Sequence, residues 1–265
     1  MDQSLHAAPA ELKQFEELGF FSRERVFSER ELVELRAAAE GVHLQIVEAA
    51  ARDDAPPIDQ IDNQRYQVLC GTTVKWEWRD DVPSFRSIEP THHLDSRFDR
   101  LVDDPRLWGP CCGIIGHDEL SLFSDKLNVK RPGGAPFPWH QEGPYWTYGA
   151  EQLDKVVSTL TYLDDATKEN GCLWVIPRSH RHGPLQGLKN RGVLGALYTD
   201  VDLIDGEAFA VELPAGSVLT FHYDLVHGSQ SNRSDRNRRV FVAAYQPPGL
   251  RRWRVDGKRP IKPAP

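Results

Sequence analysis

The chain reads as a mainly β protein with helices packed on its outside (α+β), and three observations carry that reading. The first third shows helical spacing with start and stop signals. From Tyr66 the pattern changes to alternation, with Val74, Trp76 and Trp78 separated by Lys75 and Glu77. After Glu119 the chain becomes a series of short apolar runs divided by Gly, Pro and Asn, as in a sandwich or barrel.

The elements follow in order. Pro9 opens Ala10 to Leu18 and Gly19 closes it, the usual asymmetry of helix ends. Ser28-Glu29-Arg30-Glu31 is a capping box. Behind it Leu32, Leu35, Val42, Ile46 and Val47 recur at helical spacing as far as Arg52, and Pro56-Pro57 ends the run. Residues 80–118 are mixed, with His92, His93, Trp108 and Pro110 in loops or short helices. Candidate strands are 120–130, 155–163, 172–176, 208–213, 216–222 and 239–246. The expected organisation is a single domain over 1–265: a largely helical part with lid and loop elements (1–118), a β core (119–250) and a basic tail (251–265). The tail, Arg251-Arg252-Trp253-Arg254 with Lys258-Arg259, is expected to be a solvated arm.

A chain of 265 residues can bury a substantial core. A formal charge of −7 gives no support to a nucleic-acid partner. No run of 18 apolar residues exists, so no membrane span is expected, and Met1 to Ala10 lacks the apolar segment of a secretory signal. Cys70, Cys111, Cys112 and Cys172 match neither a zinc ribbon nor a disulfide framework. Reduced thiols and a cytoplasmic location are expected, with the chain a monomer or homodimer.

The chemistry-bearing residues are His140, Glu142 and His227. In His140-Gln141-Glu142 the two outer residues lie at i and i+2, on the same side of an extended chain. His227 follows Glu142 after 84 intervening residues and is delivered by a strand over Gly216 to Phe221. Two imidazoles and a carboxylate can occupy one face of an iron(II) ion and leave the other positions open. His93-Leu94-Asp95 is a second His-x-acid pair, but it precedes the strand series and has no downstream match. Arg238 opens the apolar strand Val240 to Tyr245. Alternation puts Arg238 and Arg239 on opposite faces, so one can point inward while the other faces water. A guanidinium fork matches a carboxylate. In Leu122 to Val129, Ser124, Lys126 and Asn128 share one face and Phe123, Leu127 and Val129 the other. The polar face either meets water or lines the interior.

Four strings resemble the phytanoyl-CoA dioxygenase family of iron(II)- and 2-oxoglutarate-dependent oxygenases: Asp125 to Gly133, Trp139 to Glu142, Asn170 to His180, and His227-Gly228-Ser229 through Asn232, Ser234 and Arg238. With Leu18-Gly19-Phe20 they cover most of the chain in a consistent order. The resemblance implies a double-stranded β-helix (jelly-roll, cupin-like) core with N-terminal helices packed outside. It implies iron held by His140, Glu142 and His227, with O2 and 2-oxoglutarate as cosubstrates. Arg238 and Ser229 would hold the distal carboxylate of 2-oxoglutarate, and Lys126, Asn128 and Thr161 would line its pocket. Trp146 falls where some relatives keep an aromatic wall, and Trp174 and Tyr145 are further candidates for a substrate pocket. The usual carboxylate is aspartate; Glu142 is one methylene longer. A carboxylate here speaks against halogenation and for hydroxylation, with desaturation or ring formation as other outcomes.

The expected function is oxidation of an unactivated C–H bond of a small molecule, with 2-oxoglutarate converted to succinate and CO2. The alternatives are a non-catalytic metal-binding jelly roll, an oxygenase of acyl-CoA or carrier-bound substrates, and a zinc hydrolase, although the chain lacks His-Glu-x-x-His.

Overall fold

Helix ends fall where the caps place them. In the computed structural model, which describes residues 5–61, 64–77, 84–146, 151–185, 187–188, 198–253 and 255–262, α1 spans Pro9–Leu18 and Gly19 closes it in the left-handed conformation. α2 spans Glu29–Ala50 behind Ser28, whose side chain accepts from the Glu31 N–H. Two more helices, α3 (Ser96–Val102) and α4 (Pro105–Ile115), occupy the stretch read as mixed, and Trp108 and Pro110 lie within α4.

The strands are β1 (Phe20–Arg23), β2 (Asp59–Ile61), β3 (Gln64–Leu69), β4 (Thr72–Trp76), β5 (Phe85–Glu89), β6 (Ser121–Lys130) and β7 (Phe137–His140). After the short α5 (Gly143–Trp146) come β8 (Val157–Tyr162), β9 (Leu173–Val175), β10 (Gly187–Leu188), β11 (Tyr198–Thr199), β12 (Phe209–Val211), β13 (Val218–His222), β14 (His227–Ser229) and β15 (Arg238–Gln246). Nine form an antiparallel sheet in the order β1-β13-β8-β15-β6-β5-β4-β3-β2, and four form a second in the order β12-β9-β14-β7. This is the expected jelly roll with helices outside. The expected largely helical segment 1–118 is more β than anticipated. β2 to β5 extend the major sheet, and β5 pairs directly with β6 through Ser87↔Asn128 and Ile88↔Leu127.

Strand alternation divides the major sheet into two chemically different faces. One packs under the helices. There Leu32, Leu35 and Ile46 of α2 join Val129, Phe241 and Tyr245 in one core, and Phe98 of α3 stacks on Phe241 at 5.0 Å. The other faces the minor sheet, where Leu160, Tyr162, Val175, Phe221, Val240 and Val242 pack together.

Two expectations fail here. Phe123 does not join Leu127 and Val129 under the helices. A register shift between Ala244 and Tyr245 turns it to the opposite side, where it meets Trp146 edge-on at 5.0 Å. The basic tail is not a solvated arm. Trp253 packs against Phe123, Arg252 pairs with buried Asp125 at 3.2 Å, and Arg259 pairs with Asp99 and Asp103. The Phe123 carbonyl accepts from the Trp253 N–H and that of Leu120 from the Ile261 N–H, which fastens the segment to the start of β6.

Candidate active site

His140 and His227 are direct cross-strand partners on β7 and β14, a pairing that sets Cβ atoms about 5 Å apart. Their ring centroids are 4.2 Å apart. Gly228 is required between His227 and Ser229, because a Cβ there would meet the Phe137 carbonyl at 2.9 Å. Each imidazole is oriented by its own strand. His140 Nδ1 lies 2.7 Å from the Pro138 carbonyl and His227 Nδ1 lies 2.8 Å from the Leu225 carbonyl. A carbonyl only accepts, so both Nδ1 atoms carry the proton and both Nε2 lone pairs face the cavity. Glu142 leaves the strand with its N–H on the Tyr223 carbonyl. Its Oε1 sits 4.0 Å from His140 Nε2 and 3.7 Å from His227 Nε2.

Ligand atoms of the three residues lie within 4.8 Å of one another, a separation that leaves room for one first-row metal ion bound on one face. Burial, then the neighbouring His227, pushes His140 down to about 3, so it is neutral and able to bind near pH 7. Burial opposes ionisation of Glu142, but Lys126 and the two histidines outweigh it and hold the carboxyl well below the usual range. Lys126 Nζ contacts Glu142 Oε2 at 3.1 Å. Between the ligands, Gln141 is fully buried. It donates to the Gly183 and Asp224 carbonyls and accepts from the Leu185 N–H, which ties the loops around the site together.

The cavity beside these residues is lined by Lys126 and Asn128 of β6, Ser229 of β14 and Arg238 of β15. The polar face of β6 therefore points inward. Arg238 is 6% exposed. Its Nε is buried without a hydrogen-bond partner, and no carboxylate among the described residues pairs with it. Burial pulls this guanidinium below its ordinary value. Arg239 faces the helices rather than water, paired with Asp164 and Glu40.

Lys130, which directly opposes Arg238, was missed in the sequence although it continues the series 124, 126, 128. It donates to Ser229 Oγ at 2.6 Å and to the Gln230 carbonyl. Gly171 makes room for it, since a Cβ there would meet Lys130 Cδ at 2.9 Å.

Three expected residues stand elsewhere or are not placed. Thr161 does not line the cavity. It opposes Phe241 and Val218 on the helix-facing side, and its neighbour Leu160 takes the inward position. Trp174 opposes Gly228 and borders a depression with Pro138 and Trp139 on the outer side, while Leu173 faces in. The Tyr145 side chain lies outside the described residues. Trp146 does line the cavity, and with it Trp253 from the tail, for which the sequence carried no signal. His93 and Asp95 take structural roles: His93 Nε2 meets the Cys70 carbonyl and Asp95 caps α3.

A family model for phytanoyl-CoA dioxygenase (PhyH) matches residues 15–240. The chain belongs to the phytanoyl-CoA dioxygenase family. The His-Glu-His cluster is in keeping with a metal-dependent dioxygenase family. The chain is 32% identical over 180 residues to an L-proline trans-4-hydroxylase of Streptomyces griseoviridis, over 60% of this chain and 66% of that protein. It is 30% identical over 135 residues to a methylphosphonate hydroxylase of Gimesia maris, over 51% of this chain and 48% of that one. Thus it spans between about half and two-thirds of these two relatives. Among solved structures, EctD from S. alaskensis with 2-oxoglutarate and 5-hydroxyectoine shares the fold at TM-score 0.70 and 23% identity, covering 100% of this chain and 84% of that one. No described helix is long and apolar enough to cross a membrane.

Proposed function

We propose that the dioxygenase hydroxylates a C–H bond of a small molecule, with iron held by His140, Glu142 and His227 and 2-oxoglutarate by Arg238. The observation that carries this is the pairing, in one cavity, of a preset donor triad with a buried guanidinium that pairs with no carboxylate among the described residues. Bound iron with 2-oxoglutarate and O2 supplies the oxidising power to break the C–H bond.

The chain's own residues supply position and dryness. The Pro138 and Leu225 carbonyls hold a proton on each Nδ1 and turn both Nε2 atoms towards the metal position. Lys126 aims Glu142 and offsets the reach of its extra methylene. Arg238 offers a bidentate fork to the distal carboxylate, and Lys130 donates to Ser229 Oγ, which fixes that hydroxyl beside it. Leu160, Phe221 and Val242 give the pocket an apolar wall that keeps water from the reacting carbon. No protein base is needed at the C–H step. One copy of the chain provides every residue named, and four free thiols suit a reducing, cytoplasmic compartment. The named substrates of the relatives above, proline and methylphosphonate, favour a small metabolite over an acyl-CoA.

The test is iron-dependent, oxygen-dependent formation of succinate from 2-oxoglutarate. His140→Ala should abolish it. Undiminished turnover in that variant, or activity with zinc in the absence of O2, would overturn the reading.

A further inference from the structure

Beyond the metal and the cosubstrate end, the cavity has a second charged flank, built from β3, β4 and β5. Tyr66, Lys75 and Ser87 oppose one another across these strands, and Ser87 opposes Asn128 of β6. Directly opposed residues share a face, and all four line the cavity. Thr73 and Glu89 form the adjoining row.

Lys75 is the anomaly on this flank. It is partly buried in the cavity wall. Its ammonium lies 5.4 Å from the Tyr66 ring centroid, yet it makes no hydrogen bond or ion pair among the described residues. The acids that share its cavity are engaged elsewhere: Glu89 accepts from Ser124 Oγ, and Glu142 is held by Lys126. Burial, then the nearby Arg86 and Lys126 charges, pushes Lys75 down to about 7. A cation kept in a wall without a partner weakens the fold, unless something else supplies the negative charge.

We propose that Lys75 is the docking residue for an anionic head group, a carboxylate or a phosphonate, on the oxidised substrate. This rests on the reading above that Arg238 takes the cosubstrate. The two cations serve different molecules because the order β4-β5-β6-β15 separates them by three strand steps. At about 4.8 Å each, these steps put the two backbones about 14 Å apart, more than a single five-carbon diacid chelated at the metal can span. The metal cluster and Lys126 lie in the same cavity, so an acid anchored on Lys75 presents its carbon skeleton to the oxidising centre. Trp146 and Trp253 add an apolar wall for that skeleton.

The test uses the full chain loaded with iron(II) and 2-oxoglutarate in the absence of O2. Calorimetric titrations are run with acetate, L-proline, methylphosphonate, 2-aminoethylphosphonate and, as a probe lacking the acid, L-prolinamide. At least one acid should bind, and L-prolinamide should bind at least tenfold more weakly than L-proline if proline is among the binders. Carboxylates alone or phosphonates alone among the binders tell the two head groups apart. Lys75→Met should weaken the acid at least tenfold, and Lys75→Arg should restore it to within about threefold. Iron and 2-oxoglutarate affinity should stay unchanged in both variants, and the Tm of Lys75→Met should equal or exceed that of the parent. Unchanged acid binding in Lys75→Met, binding of none of the acids by a protein that still takes iron and 2-oxoglutarate, or a lowered Tm would overturn the proposal. Failure of the parent to take iron and 2-oxoglutarate would instead bring down the earlier reading, and this one with it.

Discussion

The two faces of strands β6 and β15 carry similar charges and treat them in opposite ways. On the helix side the charges are matched. Arg239 is clasped by Asp164 at 2.8 Å and Glu40 at 3.0 Å, and Asp125 is clasped by His92 at 2.9 Å and Arg252 at 3.2 Å. On the cavity side, one residue along the same strand, Arg238 has a buried Nε without a partner, and Lys130 meets a hydroxyl, a carbonyl and the Phe137 ring but no carboxylate among the described residues. A buried pair is neutral bookkeeping for the fold; a buried cation without an anion is a standing cost of several kcal/mol unless a ligand offsets it. The contrast separates charges that hold the protein together from charges that await a molecule.

The largest effect should come from the metal triad. His227→Ala removes a ligand from the centre of the cavity-side machinery. Replacing groups that only orient a ligand costs about ten- to a hundredfold in metal affinity or activity, so losing the ligand itself should exceed a hundredfold in both. Bound iron per chain and succinate yield measure this. Circular dichroism should stay unchanged, because no described hydrogen bond of the helix layer involves His227.

Next comes a crossed pair of variants that tests the contrast directly. Arg238→Met should weaken 2-oxoglutarate binding by about 2 kcal/mol or more, the low end for breaking a desolvated charge pair, and should leave the Tm unchanged or raised. Arg239→Met should do the reverse. It leaves Asp164 with Arg36 as its remaining cation, and the loss should be about 2 kcal/mol, below the 3–5 kcal/mol of a fully buried pair because Glu40 is 40% exposed. Denaturant unfolding and a cosubstrate titration on both proteins suffice. If both variants lose stability equally, the distinction between the two faces collapses.

A smaller effect is expected at Lys126, which pairs with the ligand Glu142. Lys126→Met should lower iron affinity by about tenfold, within the range for residues that orient a metal ligand. A shorter Glu142→Asp in the same background sharpens the point. If Lys126 exists to aim the longer carboxylate, the aspartate should be less sensitive to its loss.

Much of this division was legible in the sequence, and the misreadings have local causes. The periodicity of Ser124, Lys126 and Asn128 set the polar face of β6, but periodicity does not say which face a protein turns to water. Only the helix layer closing over Leu127 and Val129 decides it. Lys130 obeys the same rule two residues beyond Asn128, although beside Arg131 it has the look of a surface basic pair. Thr161 was misplaced by one residue, and a slip of one inverts the face of a strand; Leu160 holds the inward position. Phe123 was misassigned because a bulge has no signature in hydrophobic alternation. The docked tail was invisible for a different reason. Its charges look solvated until Asp99, Asp103 and Asp125, more than a hundred residues earlier, are brought beside them.

The smallest effect at neutral pH concerns His43 of α2, on the matched side of the sheet. Its ring packs against Phe85 with centroids 5.2 Å apart, and its Nδ1 is buried without a partner. Burial, then the nearby Arg131, pushes it down to about 4, against the opposing pull of Glu40. Because the folded value lies below the ordinary value of 6.5, the unfolded chain binds the proton more readily between them. Stability from this residue is therefore fully present above pH 6.5 and is lost as the pH falls towards 4. The slope is at most one proton, about 1.4 kcal/mol per pH unit. His43→Phe should flatten the fall of unfolding free energy between pH 6.5 and 4 while leaving iron and 2-oxoglutarate binding at pH 7.5 as they were. An unchanged slope would mean that the helix layer admits water to His43, and that this face is less dry than its ion pairs imply.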